Sequence, residues 1–480
     1  MSKYIKEKRL FNEEKRDFGY IVYSVIVLVY LLAINNTMTS ALSVVAVVAV
    51  VPFIFRPEKF LPLLFACAIN GDFFVAFQGI SMARIYTIVF IVGMIARMII
   101  KKEKIKVSDF IIHGLLILFV LLSCGTSYSG EMTPAFSFGL YIATLVLMLY
   151  LPFDRKYFLF GCAIISLVLS VYYVVSLVSG SQDAIWGRVS VDDSVNVNSL
   201  GMSIAQLIGF NFAGYFVAQK KLAKLLLVAA GACNVISILL SGSRSALIGA
   251  LGGIVSCIVL VTFGKSPEIR RISPLTIIIF TLGCFVAYFA VLRNDPEVLK
   301  RFTVESITES GGTGRTRIWG LILSDIFPSH PFLGIGYGGK NVSQYLFVNY
   351  GLNFSSHNFF FDILSSTGLI GVLTFISYLI SCLIKIVKTF KFEGMSLIPF
   401  TMLVTIVFNG IGENTLGTRI FWFAAGLCLM MSRQQREKFL PKDRKDPFLV
   451  KLRKNHEKKH YRTDDNSLLT SKSVIEPKDK

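Results

Sequence analysis

Charge is scarce in this sequence and uneven in sign. Asp, Glu, Lys and Arg make up 16% of the 480 residues, with 30 acids against 49 bases. A soluble core would be built from shorter amphipathic segments with a polar face, and the long apolar blocks seen here exclude it. The blocks also lack the two-residue alternation of barrel strands, which leaves helices as the spanning element. Cysteine pairing is missing as well. The eight Cys (67, 124, 162, 233, 257, 284, 382 and 428) lie in or at the ends of apolar runs with no CxxC pair, so they read as small packing residues. There is no outer His/Cys cluster, no DxD and no GxxxxGK[ST], so no divalent ion, cofactor or nucleotide is expected. The first apolar run starts late and lacks a small-residue cleavage site, so it is expected to be an uncleaved anchor.

What is present is hydrophobic length. Apolar residues make up 54% of the chain, and the mean hydropathy is +0.63. A helix needs about 20 apolar residues to cross a bilayer. About fourteen runs qualify, near residues 19–34, 40–55, 60–79, 84–100, 109–124, 135–153, 157–178, 199–218, 222–240, 246–263, 274–292, 358–384, 396–411 and 417–432. Shorter ones could be re-entrant, which would leave about twelve. The expected fold is therefore all-α: a polytopic transmembrane helical bundle of about 12–14 spans with a large extracytoplasmic loop containing short helices. With the N-terminus inside, 38 of the 49 Lys and Arg fall in cytoplasmic segments, as the positive-inside rule requires. The resulting layout is a cytoplasmic N-terminus (1–18), a transmembrane bundle (19–292), an extracytoplasmic loop (293–356), a second part of the bundle (357–432) and a basic cytoplasmic tail (433–480). The net charge of +19 follows from this topology and from attraction to an anionic inner leaflet, so nucleic acid is not an expected partner while membrane lipids are.

The long outer loop is patterned. Asn294-Asp295-Pro296-Glu297 has the signature of a helix start. A second start follows Gly311-Gly312-Thr313-Gly314, where Ile318, Trp319, Leu321, Ile322 and Ile326 recur at helical spacing. That apolar face is expected against the membrane surface or the bundle. Pro328 and Pro331 should end the helix, and Gly334, Gly336, Gly338 and Gly339 predict a flexible turn.

Ionisable residues on the outer side are few. Arg244, in Ser241-Gly242-Ser243-Arg244-Ser245, is held between two apolar runs with almost no loop, an expensive place for a charge unless an anion or lipid phosphate meets it. Arg188, with Asn198 at the start of the following span, could bind a sugar hydroxyl or a phosphate. Arg315 and Arg317 stand at a helix N-terminus, which favours anions. His357 opens a span in Ser356-His357-Asn358, where it could accept a proton from a substrate hydroxyl or simply cap the helix. Asp72, Arg97 and His113 lie near span ends, so ionisable groups deep within spans are few.

Three patches together resemble the O-antigen ligase and polymerase family of bacterial polysaccharide assembly. They are Leu240-Ser241-Gly242-Ser243-Arg244-Ser245-Ala246; Arg315-Thr316-Arg317-Ile318-Trp319 with Pro331-Phe332-Leu333-Gly334-Ile335-Gly336-Tyr337-Gly338; and Ser356-His357-Asn358-Phe359-Phe360 with Thr367-Gly368-Leu369-Ile370-Gly371. Where that family often has an acid shortly before the Gly-Leu pair, this chain has Ser366. The resemblance implies a GT-C-type, metal-independent, inverting glycosyltransferase in the bacterial cytoplasmic membrane. Its substrates would be undecaprenyl diphosphate-linked glycan donor and acceptor, joined at the outer face into O-antigen, capsule or exopolysaccharide, with a chain-length regulator as a possible partner. The implied roles give Arg244 and Arg188 to the diphosphate, Arg315 and Arg317 to diphosphate or glycan, Asn198 to substrate binding, and His357 to the acceptor hydroxyl. Transfer of finished glycan by a ligase, a lipid-linked glycan flippase or other transporter, and a scaffold of a synthesis complex are the alternatives.

Overall fold

Apolar runs of membrane-crossing length satisfy their backbone groups internally only as helices, and that is the architecture of the computed structural model. It describes residues 2–34, 40–70, 76–77, 80–103, 113–114, 116, 120, 127–130, 133–179, 182–183, 188–189, 197–264, 266–269, 315–414 and 417–439. In chain order the helices are α1 (Ser2–Ile34), α2 (Ser40–Val48), α3 (Leu61–Asn70), α4 (Met82–Lys101), α5 (Thr133–Met148), α6 (Arg155–Ser179), α7 (Val197–Val217), α8 (Lys221–Ser241) and α9 (Arg244–Phe263). They continue with α10 (Arg315–Leu321), α11 (Gly339–Tyr350), α12 (Phe359–Phe390), α13 (Leu397–Asn409) and α14 (Arg419–Phe439). The chain divides into two units, Met1–Met431 and Ser432–Lys480. Of the second, residues 432–439 are described, and they are helical.

Among the described residues, seven helices are long and apolar enough to span a bilayer: Arg16–Ile34, Met82–Lys101, Arg155–Ser179, Val197–Val217, Lys221–Ser241, Arg244–Phe263 and Phe359–Phe390. The protein is a polytopic helical membrane protein. Runs expected near 40–55, 135–153 and 396–411 form shorter apolar helices, and the run from residue 60 is helical over Leu61–Asn70. Most of the runs at 109–124 and 274–292 lies outside the described residues, as do the helix start at Asn294 and the glycines at 311–314.

α7 is the central post. Its apolar stretch is 78% buried, far more than that of any other span, and it packs against α8, α9 and α13. Polar side chains tie α7 and α6 to each other and to α3, where hydrocarbon offers no alternative partner. Ser166 Oγ donates to Asn211 Oδ1 at 2.7 Å, Tyr173 OH to Asn70 Oδ1 at 2.6 Å, and Ser203 Oγ to the Ile69 carbonyl at 2.7 Å. One end of the bundle is cross-linked by ion pairs. Arg155 reaches Glu393 at 2.7 Å and Glu268 at 3.2 Å, and Glu268 accepts the Gly394 amide at 2.7 Å. The opposite end holds the α8–α9 turn, the start of α12 and the end of α13.

The segment after Gly314 packs on that opposite end. α10 continues through a π-helical turn (Ile322–Ile326) into a last turn at Phe327–Ser329, so Pro328 sits in the final turn and Pro331 just beyond it. Ile318, Ile322 and Ile326 bury against Ile335, Val342 and Leu346, with Phe361 of α12 packed on the group. The apolar face read from the sequence is thus covered by protein.

The glycine-rich stretch 334–339 is a fixed splint and not the flexible turn its composition predicts. α12 breaks at Gly368, whose φ of 63° and ψ of −168° are non-helical. The break frees backbone groups that would otherwise be unpaired in a buried place. The loop supplies the partners: the Ile335 amide donates to the Ser365 carbonyl at 2.8 Å, the Gly336 amide to Ser366 at 3.0 Å, and the Leu369 amide to Pro331 at 2.8 Å. The approach is so close that a Cβ on Gly368 would collide with the Phe332 backbone, and one on Gly334 with the Ser365 carbonyl. The two glycine-bearing patches of the sequence are therefore the two halves of one contact. Gly368→Ala is expected to combine that collision with a left-handed φ, lowering stability by about 2–3 kcal/mol. The check is a thermal unfolding curve in detergent, together with faster proteolysis between residues 330 and 340.

Candidate functional site

Gly242 ends α8 in a left-handed conformation, φ 60°, and Ser243 starts α9 in an extended one. A two-residue turn thus joins two spans. It leaves Arg244 as the first residue of α9, where the helix dipole is positive and a cation is unfavourable unless an anion shares the place. The turn is packed from α7, since a Cβ on Gly201 would meet Ser243 at 2.7 Å and Ala246 at 2.9 Å. Asn198 lies buried one turn earlier in α7, at this same end.

Arg315, at the start of α10, comes to the same place from a different part of the chain. Its Nη1 lies 3.2 Å from where a Cβ on Gly412 would stand, and Ser245 Cβ lies 2.6 Å from that point. The missing side chain at Gly412 is what lets the guanidinium and the first turn of α9 share one corner. Arg244 and Arg315 are near enough to repel each other. Burial lowers the pKa of Arg315 below the ordinary arginine value, while the Glu413 carboxylate acts in the opposite direction. Two guanidiniums gathered at a helix N-terminus supply the donors and the positive charge that an anion requires.

His357 is presented by a clamp on either side. The Ser356 carbonyl accepts Trp319 Nε1 at 2.8 Å, and Ser356 Oγ donates to Asn414 Oδ1 at 2.8 Å. Beyond it, the Asn358 amide also donates to Asn414 Oδ1, at 3.1 Å, Asn358 Nδ2 donates to the Ile411 carbonyl at 3.0 Å, and the Phe359 amide donates to Gly410 at 2.7 Å. Asn358 Oδ1 meanwhile caps α12, accepting the amides of Phe360 and Phe361. Held this way, His357 takes φ 45°, a left-handed conformation costing about 1–2 kcal/mol, which persists only where neighbours impose it.

The imidazole faces a carboxylate. His357 Nδ1 and Glu413 Oε2 are 3.7 Å apart, with side chains 25% and 8% exposed, so the acid is sealed in while the histidine reaches solvent. Neither atom has a hydrogen-bond partner among the described residues, and a buried carboxylate oxygen in that condition points to function. Asp362 is buried one helical turn before Ser366, with Ser356 Oγ 3.5 Å away, and it lies near enough to His357 and Glu413 to feel the charge of both.

The structure thus brings Arg244, Arg315 and His357 together at one end of the bundle, around the 410–414 segment, with Asn198 at the same end. Arg317 is exposed; two residues along a helix from Arg315, it points to another face. Arg188 lies in the two-residue strand Arg188–Val189, paired through its backbone with Asp183, and that strand packs beside α8. Glu413, Asn414 and Asp362 escaped the sequence reading, which weighed outer cations and histidines for chemistry and outer acids, at Asp192, Asp193, Asp295 and Glu297, only as metal ligands. The signal was there: Gly410-Ile411-Gly412-Glu413-Asn414 puts a charge in a tight connection between apolar runs, the same argument that singled out Arg244.

Residues 225–376 match the family described as O-antigen ligase. No curated protein matches the chain. The matched stretch contains Arg244, Arg315 and His357 and ends at Ile376, just past the broken turn of α12, whereas Glu413 and Asn414 lie beyond it.

Proposed function

We propose that this chain polymerises undecaprenyl diphosphate-linked repeat units at the outer face of the cytoplasmic membrane, with both termini inside, a reading supported by the match of residues 225–376 to the family described as O-antigen ligase. The observation that carries the proposal is the convergence of Arg244, Arg315, His357 and Glu413 on one corner of the bundle. An acceptor hydroxyl attacks the anomeric carbon of the donor. As that bond forms, the bond from carbon to the diphosphate oxygen breaks, its electron pair leaves with the lipid diphosphate, and the configuration inverts.

Each group has a task set by where charge develops. Arg244 and Arg315 face the departing diphosphate, whose negative charge grows in the transition state, so their stabilisation is differential. His357 takes the proton of the acceptor hydroxyl through Nε2. Glu413, on the Nδ1 side, fixes the ring and balances the imidazolium that forms. Asn198 from α7 and Arg188 from the strand beside α8 would contact sugar or phosphate, and Arg317, exposed on α10, the more distant glycan. The reaction uses no metal, and a chain-length regulator is a candidate partner.

Ligase-type transfer of finished glycan to another acceptor uses the same groups, and the name of the matched family favours it as the second possibility. A flippase calls for broken helices in both halves of the molecule. The break in α12 is splinted by the loop and serves the fold. The deciding experiment is reconstitution with a purified lipid-linked repeat unit, with products resolved by chain length on a gel. Longer lipid-linked chains are expected. Donor that stays unchanged until a separate acceptor is added would make the protein a ligase, and donor that crosses the bilayer with no new glycosidic bond would overturn transfer altogether.

A further inference from the structure

The far end of the α10 arm carries a second constellation, apart from the groups that carry the bond-making step just described. Asp325 accepts hydrogen bonds from Tyr345 OH at 3.0 Å and Tyr350 OH at 2.8 Å. The Tyr345 ring stands 5.3 Å from that of Tyr128 and is met edge-on by His330 at 6.4 Å. The arrangement is built from distant parts of the chain: the Tyr128 amide donates to the Ile335 carbonyl at 2.9 Å and the Ser129 amide to Asn341 Oδ1 at 2.8 Å. Tyr128 is 41% exposed and Tyr350 39%, so ring surface is offered to solvent while two of the hydroxyls are committed to the acid. Desolvation and the neighbouring Asp325 push the Tyr345 hydroxyl up to about 12, keeping it a neutral donor.

Rings with a polar edge and an apolar face suit pyranose sugars, whose C–H faces stack on them while hydroxyls or acetamido N–H groups seek an acceptor such as a carboxylate. A lipid surface fits less well. Interfacial tyrosines direct their hydroxyls to the headgroups, whereas these turn onto a carboxylate that repels lipid phosphate. Asp325 is ten residues along the arm from Arg315, about 15 Å at the helical rise, a reach of several sugar rings from the anion site. We infer that the Asp325, Tyr128, Tyr345 and Tyr350 cluster is a subsite for the glycan portion of the substrate, taking uncharged or amino sugars in preference to acidic ones. This inference rests on the glycan-transfer function proposed above.

The test uses full-length protein in lipid nanodiscs and water-soluble oligosaccharides released by mild hydrolysis from the host's own surface polysaccharide, with binding followed by saturation-transfer NMR. Binding is expected in the unaltered protein, and to weaken about tenfold when Tyr128→Ala and Tyr350→Ala are combined. Phe347→Ala, on the exposed side of the same helix, should leave it unchanged. Tyr350→Phe, which keeps the ring and loses the bond to Asp325, guards against misfolding and should give an intermediate loss. Equal binding by the double variant and the unaltered protein overturns the subsite. So does a spin label at Tyr350→Cys that is relaxed more by oxygen dissolved in lipid than by an aqueous nickel chelate. Transfer assays on His357→Ala judge the proposed function separately: chain elongation that survives that change refutes the transfer chemistry, whatever the oligosaccharide does.

Discussion

Arg315→Ala should lower the rate of glycosidic bond formation by at least about 100-fold, the size of loss seen when one fixed donor to a developing anion is removed, while Arg315→Lys should restore only part of it. The reason lies in what burial does to a guanidinium. Burial lowers the Arg315 pKa, with Glu413 opposing that effect, and repulsion from Arg315 acts on Arg244. On the proposed reaction, such a pair is poorly stabilised until a diphosphate arrives and is best matched when that diphosphate carries its full leaving-group charge. Lysine offers a point charge in place of a planar fork and cannot present two parallel N–H groups to phosphate oxygens. The measurement is single-turnover elongation in proteoliposomes with saturating donor, beside a thermal unfolding curve. A variant that folds normally and elongates within a few-fold of the unaltered rate removes Arg315 from the chemistry.

His357→Ala has an effect of similar scale, a loss of about 10²–10⁴, and Glu413→Gln a smaller one, because the second change leaves the base in place and removes only the charge that steadies it. The geometry sets the order. His357 is held in a left-handed conformation by hydrogen bonds on both sides, so its ring needs no rearrangement before accepting a proton. Glu413 Oε2, 3.7 Å from Nδ1, is too distant for a hydrogen bond in this structure and would close on the imidazolium as it forms. Combining the two substitutions should therefore cost little more than His357→Ala alone, since residues acting as a unit are non-additive. Two independent losses that multiply would show that Glu413 acts elsewhere.

How far the sequence went differs from residue to residue. Arg244 was legible because a charge between apolar runs with no loop to carry it into water demands a reason. Arg315 and Arg317 read alike, two arginines in one helix start, and only the phase of α10 separates them: one turns to Gly412 and the other to solvent. Glu413 obeys the logic that found Arg244, yet nothing local tells a carboxylate beside a membrane edge that its partner is a histidine 56 positions earlier. Gly334 and Gly368 lie 34 residues apart and each passes for a hinge. Their meaning appears only when the amides of Ile335 and Gly336 are seen taking the place of helix hydrogen bonds that the break in α12 gives up.

The amino-acid sequence determined what the solvent imposes: hydrocarbon rejects unpaired backbone and unpaired charge, so long apolar runs become helices. It also marked where those rules are broken, at Arg244 and His357. The tertiary structure alone decided which of these exceptions meet, because contact between helix ends depends on packing angles and on small side chains such as Gly201 and Gly412, to which a hydropathy pattern is blind. The pairing of His357 with Glu413, and of Arg244 with Arg315, comes from that packing.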